Sequence, residues 1–586
     1  IEAPAADSAR VATYLFEALP VLNPDARGDK RILFTIDGEP VESDESYKLS
    51  GNVDQVRVSA KSGAGLFYGL QSLLQLVDNG AIPPVDIEDA PRFSYRGLLL
   101  DVSRNFRSKE WVMKQLDAMA RLKLNKLQFH LTDAAGWRLQ IDAYPKLTSQ
   151  AAWRIGGTWK QWNENGNKYV AEGDSLASGG YYTKQDIRDI LKYAADRYIT
   201  VIPEIEMPSH SEEVLAAYPE LSCTGEPYTS SDFCPGNDST FTFLENVLDE
   251  VIELFPSHYI NIGGDEAPKT HWHSCPKCQA RIKAENLAGM DELQSYLVHR
   301  IERYLNSKGR ALIGWDEIME GGLSPTASIV SWRGIDGGMK AAAMGNDAVM
   351  APGKYCYFDG YQDAPSSQPE AIGGYLPIEM VYSFNPADSS LADSVARHII
   401  GVEGTLFTEY IATGDHAEYM LYPRALALAE VAWTPQNMRD YADFRPRAVK
   451  MSGDMRQRGY NTFDLTTEIG NRPEALSELH HLAFGKKVTY NEVYIKVDDI
   501  KNVDKICDTL KEEGYQISSM VDYRKQMQQQ TAQRQLRLAG LAAISLFVAA
   551  LNIANTMTMA IYERTREIGV MKVLGCEIGN IRRMFL

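Results

Sequence analysis

The chain has 586 residues, more than one small core can hold, so several domains are expected. A formal net charge of −18 argues against nucleic acid as the main partner. Seven cysteines are too few for a disulfide-built scaffold, while nine Trp and thirty Tyr offer stacking surface. The chain starts at Ile1 with neither Met nor a signal sequence, so it reads as trimmed.

Residues 1–91 read as a small α+β unit. Segments 32–36 and 55–60 look like half-buried strands, and 63–77 carries apolar residues at helical spacing. Pro83-Pro84 and Ala90-Pro91 then mark a linker. From 92 to 436 a strand-then-helix rhythm repeats. Apolar or β-branched runs fall at 97–102, 127–131, 200–205, 259–262, 311–315, 328–332, 348–351 and 399–406. Helix-like stretches such as 109–122 and 184–198 lie between them. Eight such runs predict an α/β fold, a (β/α)8 TIM barrel rather than an open doubly wound sheet.

In that fold the active site lies at the carboxyl ends of the strands. Polar residues gather there: Asp101, Arg104, His130, Asp133, Glu204, Glu206, His210, Asp265 and Glu266. Later ends add Trp315, Asp316, Glu317, Trp332, Arg333, Tyr357, Asp359 and Glu409. The run Tyr259-Ile260-Asn261-Ile262-Gly263-Gly264-Asp265-Glu266 is the most informative. Neighbouring side chains on a strand face opposite ways, so two adjacent carboxylates share a target only where the strand breaks. Gly263 and Gly264 permit that break, making Asp265 and Glu266 a candidate general acid and its helper.

The cysteines leave alternatives open. Cys223 and Cys234 flank a polar loop and could pair. His271-x-His273-x-Cys275-x-x-Cys278 has metal-ligand spacing but no second Cys or His cluster beside it, which favours a small local disulfide or free thiols. No metal and no cofactor are expected. Cys356, Cys507 and Cys576 read as filler.

Residues 437–491 look like closing helices and the start of a truncated accessory domain. Residues 492–536 have a β-α-β pattern and a Gln-rich helical stalk. In 537–586, an uncharged stretch at 538–561 is long enough to cross a bilayer. Lys and Arg beyond it place the C-terminal side in the cytoplasm. The last residues, Met584-Phe585-Leu586, begin a further apolar run, so the chain reads as cut.

Two carboxylates and many aromatics suggest sugar hydrolysis. Ordinary glycosidases hold two carboxyls ~5–9.5 Å apart across the scissile bond, which adjacent residues do poorly. A nucleophile supplied by the substrate removes that difficulty. Seven motifs, in order, resemble family 20 glycoside hydrolases, the β-N-acetylhexosaminidases, over about 1–491. They are Arg96-Gly97-Leu98-Leu99-Leu100-Asp101-Val102-Ser103-Arg104, His130-Leu131-Thr132-Asp133 with Gly136-Trp137-Arg138, and Pro203-Glu204-Ile205-Glu206-Met207-Pro208-Ser209-His210. Gly263-Gly264-Asp265-Glu266, Gly314-Trp315-Asp316-Glu317, Ser331-Trp332-Arg333-Gly334 and Tyr357-Phe358-Asp359 complete the series.

The resemblance implies roles. Glu266 would be the general acid and then base, and Asp265 would orient the 2-acetamido group as it closes to an oxazolinium ion. Tyr357 would bond the acetamido oxygen. Arg104, Asp359 and Glu409 would bind sugar hydroxyls, with Trp315 and Trp332 walling the pocket and His210 and Asp133 supporting the acid pair. Beside Asp265 and apolar walls, the Glu266 pKa is expected to be raised. Asn105, Asn261 and Ser209 depart from the family's usual residues, and Phe407 stands where a third Trp wall is usual. These departures predict lowered efficiency rather than an inactive pocket.

The tail resembles part of an FtsX-like ABC transporter permease, on Asn552-Ile553-Ala554-Asn555-Thr556-Met557 and the segment from Tyr562 to Gly575. A splice near Asn491 would make the chain chimeric or mis-joined. The leading expectation is an exo-acting β-N-acetylhexosaminidase of the periplasm or cell exterior, acting on terminal β-linked N-acetylhexosamine. It would touch membrane only through 537–561. The alternatives are a carbohydrate-binding relic and a membrane transport component carrying a passenger domain.

Overall fold

The computed structural model describes residues 6–18, 30–36, 43–77 and 82–470, with single positions at 565, 566, 577, 579 and 583. The chain divides into two units, Ile1–His480 and His481–Leu586, and all of the architecture below belongs to the first. The β-α-β pattern expected at 492–536 and the membrane span expected at 537–561 lie outside the described residues. Among the described residues no helix is long and apolar enough to cross a membrane.

The first layer is a four-stranded sheet of β1 (Arg31–Ile36), β2 (Tyr47–Gly51), β3 (Gln55–Ala60) and β4 (Val85–Asp89), in the order β1-β3-β2-β4. β1 runs parallel to β3, and the other pairs are antiparallel. The helix Gly63–Leu76 packs on this sheet, and Ser62 caps it by accepting from the Ala64 and Gly65 amides at 3.1 and 3.3 Å. β4 corrects the sequence expectation, because the stretch read as linker is an edge strand. Its residues alternate between partly buried Val85 and Ile87 and exposed Asp86 and Glu88, and acidic side chains are a common guard on an edge. β2 escaped notice because only Tyr47 and Leu49 are buried in a five-residue strand.

The barrel is built from β5 (Tyr95–Asp101), β6 (Lys126–His130), β9 (Thr200–Glu204), β10 (Tyr259–Asn261), β11 (Ala311–Trp315), β12 (Ser328–Ser331), β13 (Ala348–Met350) and β14 (Ile399–Leu406). A two-stranded ribbon, β7 (Trp153–Ile155) with β8 (Ala177–Gly179), decorates the connection from β6 to β9. The eight barrel strands are all parallel and the sheet closes by pairing β14 with β5. Each lies within two residues of the run expected for it. Such strands are covered on both faces, so their apolar residues run continuously instead of alternating. Leu98, Leu99 and Leu100 are all buried.

Register brings polar residues level at the carboxyl ends. Asp101 lies opposite His130, His130 opposite Glu204, and Glu204 opposite Asn261. Neighbouring strands stand ~4.8 Å apart, so these side chains meet across the ladder without any long loop to position them.

Candidate active site

A cavity of about 750 Å³ opens above these strand ends. It is lined by all eleven residues expected at the site: Asp265, Glu266, Tyr357, Arg104, Asp133, His210, Trp315, Trp332, Asp359, Phe407 and Glu409.

Its floor is a network of paired charges. Arg104 lies against Asp133, with Asp101 Oδ2 at 3.3 Å and Glu409 Oε1 at 3.5 Å. His130 places Nδ1 2.6 Å from Glu204 Oε2 and Nε2 3.0 Å from Asp133 Oδ2. Burial works against the His130 charge, but Glu204 and Asp133 outweigh it and push the imidazole up to about 10. Asp133 is buried as well, yet Arg104 and His210 hold its carboxyl well below the usual range. Trp315 Nε1 donates to Glu204 Oε1 at 3.0 Å, tying an aromatic wall to the same network.

The wall itself is four rings. Phe407 sits 6.2 Å from Trp315 and 5.5 Å from Tyr357, and Tyr357 lies 6.0 Å from Trp332 with the two planes 25° apart. Phe407 also covers Arg104, whose guanidinium carbon is 5.4 Å from the ring centre. Trp332 donates to Glu317 Oε2 at 2.9 Å. Burial pushes Glu317 up to about 8 against that bond. Burial and nearby Asp265 keep the Tyr357 phenol well above its ordinary value, so it remains a donor.

The acid pair forms where β10 ends. Asn261 Oδ1 accepts from the Gly263 amide at 2.9 Å and turns the chain. Gly263 and Gly264 then adopt φ of +65° and +96°. A Cβ on Gly263 would fall 1.8 Å from Glu206 Oε2, so this is a position for glycine on space as well as conformation. Glu266 itself has φ of +49°, an uncommon conformation for a side-chain-bearing residue. His210, at φ +53°, faces the pair: Nε2 is 3.4 Å from both Asp265 Oδ2 and Glu266 Oε2, and Nδ1 is 3.1 Å from Asp133 Oδ1. Burial disfavours the His210 charge, but Asp133 and Asp265 overcome it and raise the imidazole well above its ordinary value.

This corrects the expected titration order. The His210 imidazolium beside it holds Glu266 below its ordinary value, against burial. The Glu266 side chain is 59 % exposed, so apolar walls do not enclose it. Asp265 is the carboxyl that rises, by burial, although His210 opposes the rise. Behind them the buried Glu206 is pushed well above the usual carboxylate range by burial and then by Asp265 and Glu204.

The profile described as "Glycosyl hydrolase family 20, catalytic domain" matches residues 93–436, and "Glycosyl hydrolase family 20, domain 2" matches 2–90. The chain belongs to glycosyl hydrolase family 20. Among family-20 relatives, a "Beta-hexosaminidase" of Porphyromonas gingivalis is 43 % identical over 421 residues, covering 68 % of this chain and 52 % of that protein. The chain thus spans about half the length of that relative. A "Beta-hexosaminidase" of Akkermansia muciniphila is 31 % identical over 458 residues, covering 74 % of this chain and 88 % of that protein. The crystal structure of a family-20 exo β-N-acetylglucosaminidase from Vibrio harveyi, in complex with N-acetylglucosamine, superposes with a TM-score of 0.71 at 30 % identity. It covers 78 % of this chain and 74 % of that one. A profile described as "FtsX-like permease C-terminal" matches 539–586, in keeping with the resemblance read in the tail.

Three of the four departures from the family-20 pattern fall outside the cavity lining. Asn105 donates to the Thr408 carbonyl at 2.6 Å and accepts from Arg154 at 3.1 Å. Asn261 makes the turn already described. Ser209 stands 3.5 Å from Asp232 Oδ1. Only Phe407 touches the cavity. Sequence reasoning missed the segment 372–376, which contributes Ile372, Gly373, Gly374, Tyr375 and Leu376 to the lining together with Lys354 and Met380. Its one local cue was the Gly-Gly pair in the long connection between β13 and β14.

Of the two alternatives left open for the cysteines, the structure has free thiols. All five described cysteines are free thiols, so neither a local disulfide nor a Cys223–Cys234 pair is present. The Sγ atoms of Cys223, Cys234, Cys275 and Cys278 instead lie within 4.8 Å of one another. His271 stays outside the group, with Nε2 2.9 Å from the Thr229 carbonyl, and His273 is exposed.

Proposed function

We propose that the protein is an exo-acting β-N-acetylhexosaminidase. It removes terminal β-linked N-acetylglucosamine or N-acetylgalactosamine from glycans in the periplasm or outside the cell, with retention of configuration. The observation that carries this reading is the sharing of one imidazolium, His210, by Asp265 and Glu266. Two carboxyls held to one point cannot take opposite faces of a sugar ring, so the nucleophile comes from the substrate.

The chemistry then assigns itself to atoms. The acetamido carbonyl oxygen attacks the anomeric carbon while the glycosidic C–O bond breaks and the Glu266 proton passes to the departing oxygen. Asp265 Oδ1 is buried and has no hydrogen-bond partner among the described residues, which suits it to accept the acetamido N–H and to stabilise the oxazolinium charge. Tyr357 donates to the acetamido oxygen. Water then adds at the anomeric carbon, Glu266 takes its proton, and the ring reopens. Arg104, Asp359 and Glu409 meet the sugar hydroxyls; Asp359 Oδ1 too is buried without a partner among the described residues.

In the free protein burial raises the Asp265 carboxyl and His210 lowers that of Glu266, the reverse of the order the chemistry needs. Substrate reverses this order. A sugar that covers Glu266 strips its water and favours the acid, while an N–H donated to Asp265 favours the carboxylate. The test compares nitrophenyl N-acetyl-β-glucosaminide with the nitrophenyl β-glucoside that lacks the acetamido group. Release of nitrophenol from the first alone is expected; equal turnover of both would sink the mechanism.

A further inference from the structure

We propose that Cys223, Cys234, Cys275 and Cys278 form a tetrathiolate zinc site that braces the two loops carrying the acid pair and its histidine. The site is distinct from the cavity and independent of the hydrolase reading.

Four thiolates at ~2.3 Å from a central zinc stand ~3.8 Å apart along the edges of a tetrahedron. The Sγ atoms of Cys223 and Cys278 are 3.6 Å apart, those of Cys234 and Cys278 3.6 Å, and those of Cys234 and Cys275 3.7 Å. Disulfide sulfurs would stand ~2.05 Å apart and sort into two exclusive pairs. Cys278 instead lies equally near Cys223 and Cys234, which is sharing around a centre and not pairing.

The surroundings fit a structural metal. Cys234 and Cys278 are fully buried, and Trp272 and Leu293 close over them with Ile282, Leu287 and Met290. Cys275 and Cys278 form a Cys-x-x-Cys turn that opens the helix Pro276–Ala284, where the positive end of the helix favours thiolate. The Gly236 amide donates towards the sulfurs of both Cys234 and Cys278, a bond that orients metal-bound thiolates. A Cβ on Gly236 would lie 2.2 Å from the Lys277 carbonyl carbon, so glycine is what lets the two cysteine segments meet. Four clustered thiolates, three of them buried, repel one another without a cation among them. Zinc binding removes their protons and cancels part of that charge.

The position says what the metal does. Cys223 and Cys234 follow β9 and His210, whereas Cys275 and Cys278 follow β10 and the acid pair. The first loop is closed on itself where the Phe233 amide donates to the Pro208 carbonyl at 2.8 Å, and two bonds then join it to the second. The Lys269 amide reaches Asp232 Oδ2 at 2.9 Å, and Trp272 Nε1 donates to the Phe233 carbonyl at 3.0 Å.

The test measures metal on the full chain, purified without added metal and then again after exposure to Zn²⁺ and dialysis. About one zinc per chain by elemental mass spectrometry is expected, released by a thiol-specific mercurial. The Cys275→Ser/Cys278→Ser variant should hold under about a tenth of that amount. The unaltered chain exchanged with Co²⁺ should show sulfur-to-cobalt charge-transfer absorption, a readout that needs no substitution to fold. A chain that takes up neither Zn²⁺ nor Co²⁺, one whose denatured mass shows two disulfides, or a double variant that keeps its zinc would each overturn the proposal.

Discussion

The floor and the rim of the cavity are built from the same class of side chain and behave oppositely. On the floor most charges meet a partner: Arg104 has Asp101, Asp133 and Glu409, and His130 has Glu204 and Asp133. At the rim, Glu266 is mostly exposed, and Asp265 Oδ1 is left without a hydrogen bond among the described residues. Buried polar groups are normally satisfied, so the difference separates residues that hold shape from residues that await something. Folding pairs most of the floor's charge, whereas the rim carboxyls are left for a ligand.

The sharpest way to break this contrast is Glu266→Gln. Removing a general acid costs ~10²–10⁴-fold in rate, with the thermal midpoint unchanged because Glu266 is no part of the floor. A large fall in the midpoint would mean that rim and floor are one network. The floor answers to pH instead. The His130 pKa is raised to about 10 from an unfolded value of ~6.5, so the stability it contributes is complete below ~6.5 and is lost as pH rises through about 10. Melting curves across that window should decline for the unaltered chain, and His130→Asn should start lower and decline less. A flat profile for the unaltered chain would remove the charged histidine from the floor.

A smaller effect probes the reversal of protonation at the rim. The pH profile of kcat/KM reports the free protein, where Glu266 is held low, and that of kcat reports the complex. The alkaline limb of kcat should lie at higher pH than that of kcat/KM; coincident limbs would show that substrate leaves the order unchanged. The smallest effect belongs to the wall. Phe407→Trp adds ring area beside Trp315 and Tyr357, worth ~0.5–1.5 kcal/mol in aromatic contact, and should raise kcat/KM by a few-fold. A fall would mean that the indole has no room there.

The barrel was legible because its strands are buried on both faces, so each announces itself as an apolar run closed by polar residues. Nine of the eleven expected cavity residues were legible through their ordered motifs, Phe407 and Glu409 lie beyond those motifs, and all eleven line one space. What stayed hidden depends on distance in space. β4 reads as linker because its pattern is half acidic, and the four thiols meet only when two loops some forty residues apart fold together. The titration order of Asp265 and Glu266 was also beyond the sequence. It depends on His210 reaching over from the next loop in a left-handed backbone conformation, which no local pattern specifies.

The contact between Gly263 and the Glu206 carboxyl also limits how this protein can vary. Any side chain at 263 meets an oxygen at 1.8 Å, so substitution there is blocked for as long as glutamate occupies 206. Shortening 206 first would leave a void behind the acid pair but a viable intermediate, while changing 263 first would not. The two positions therefore allow mutational traffic in one direction only, and a library that randomises both together should recover non-glycine residues at 263 solely in the company of a smaller residue at 206.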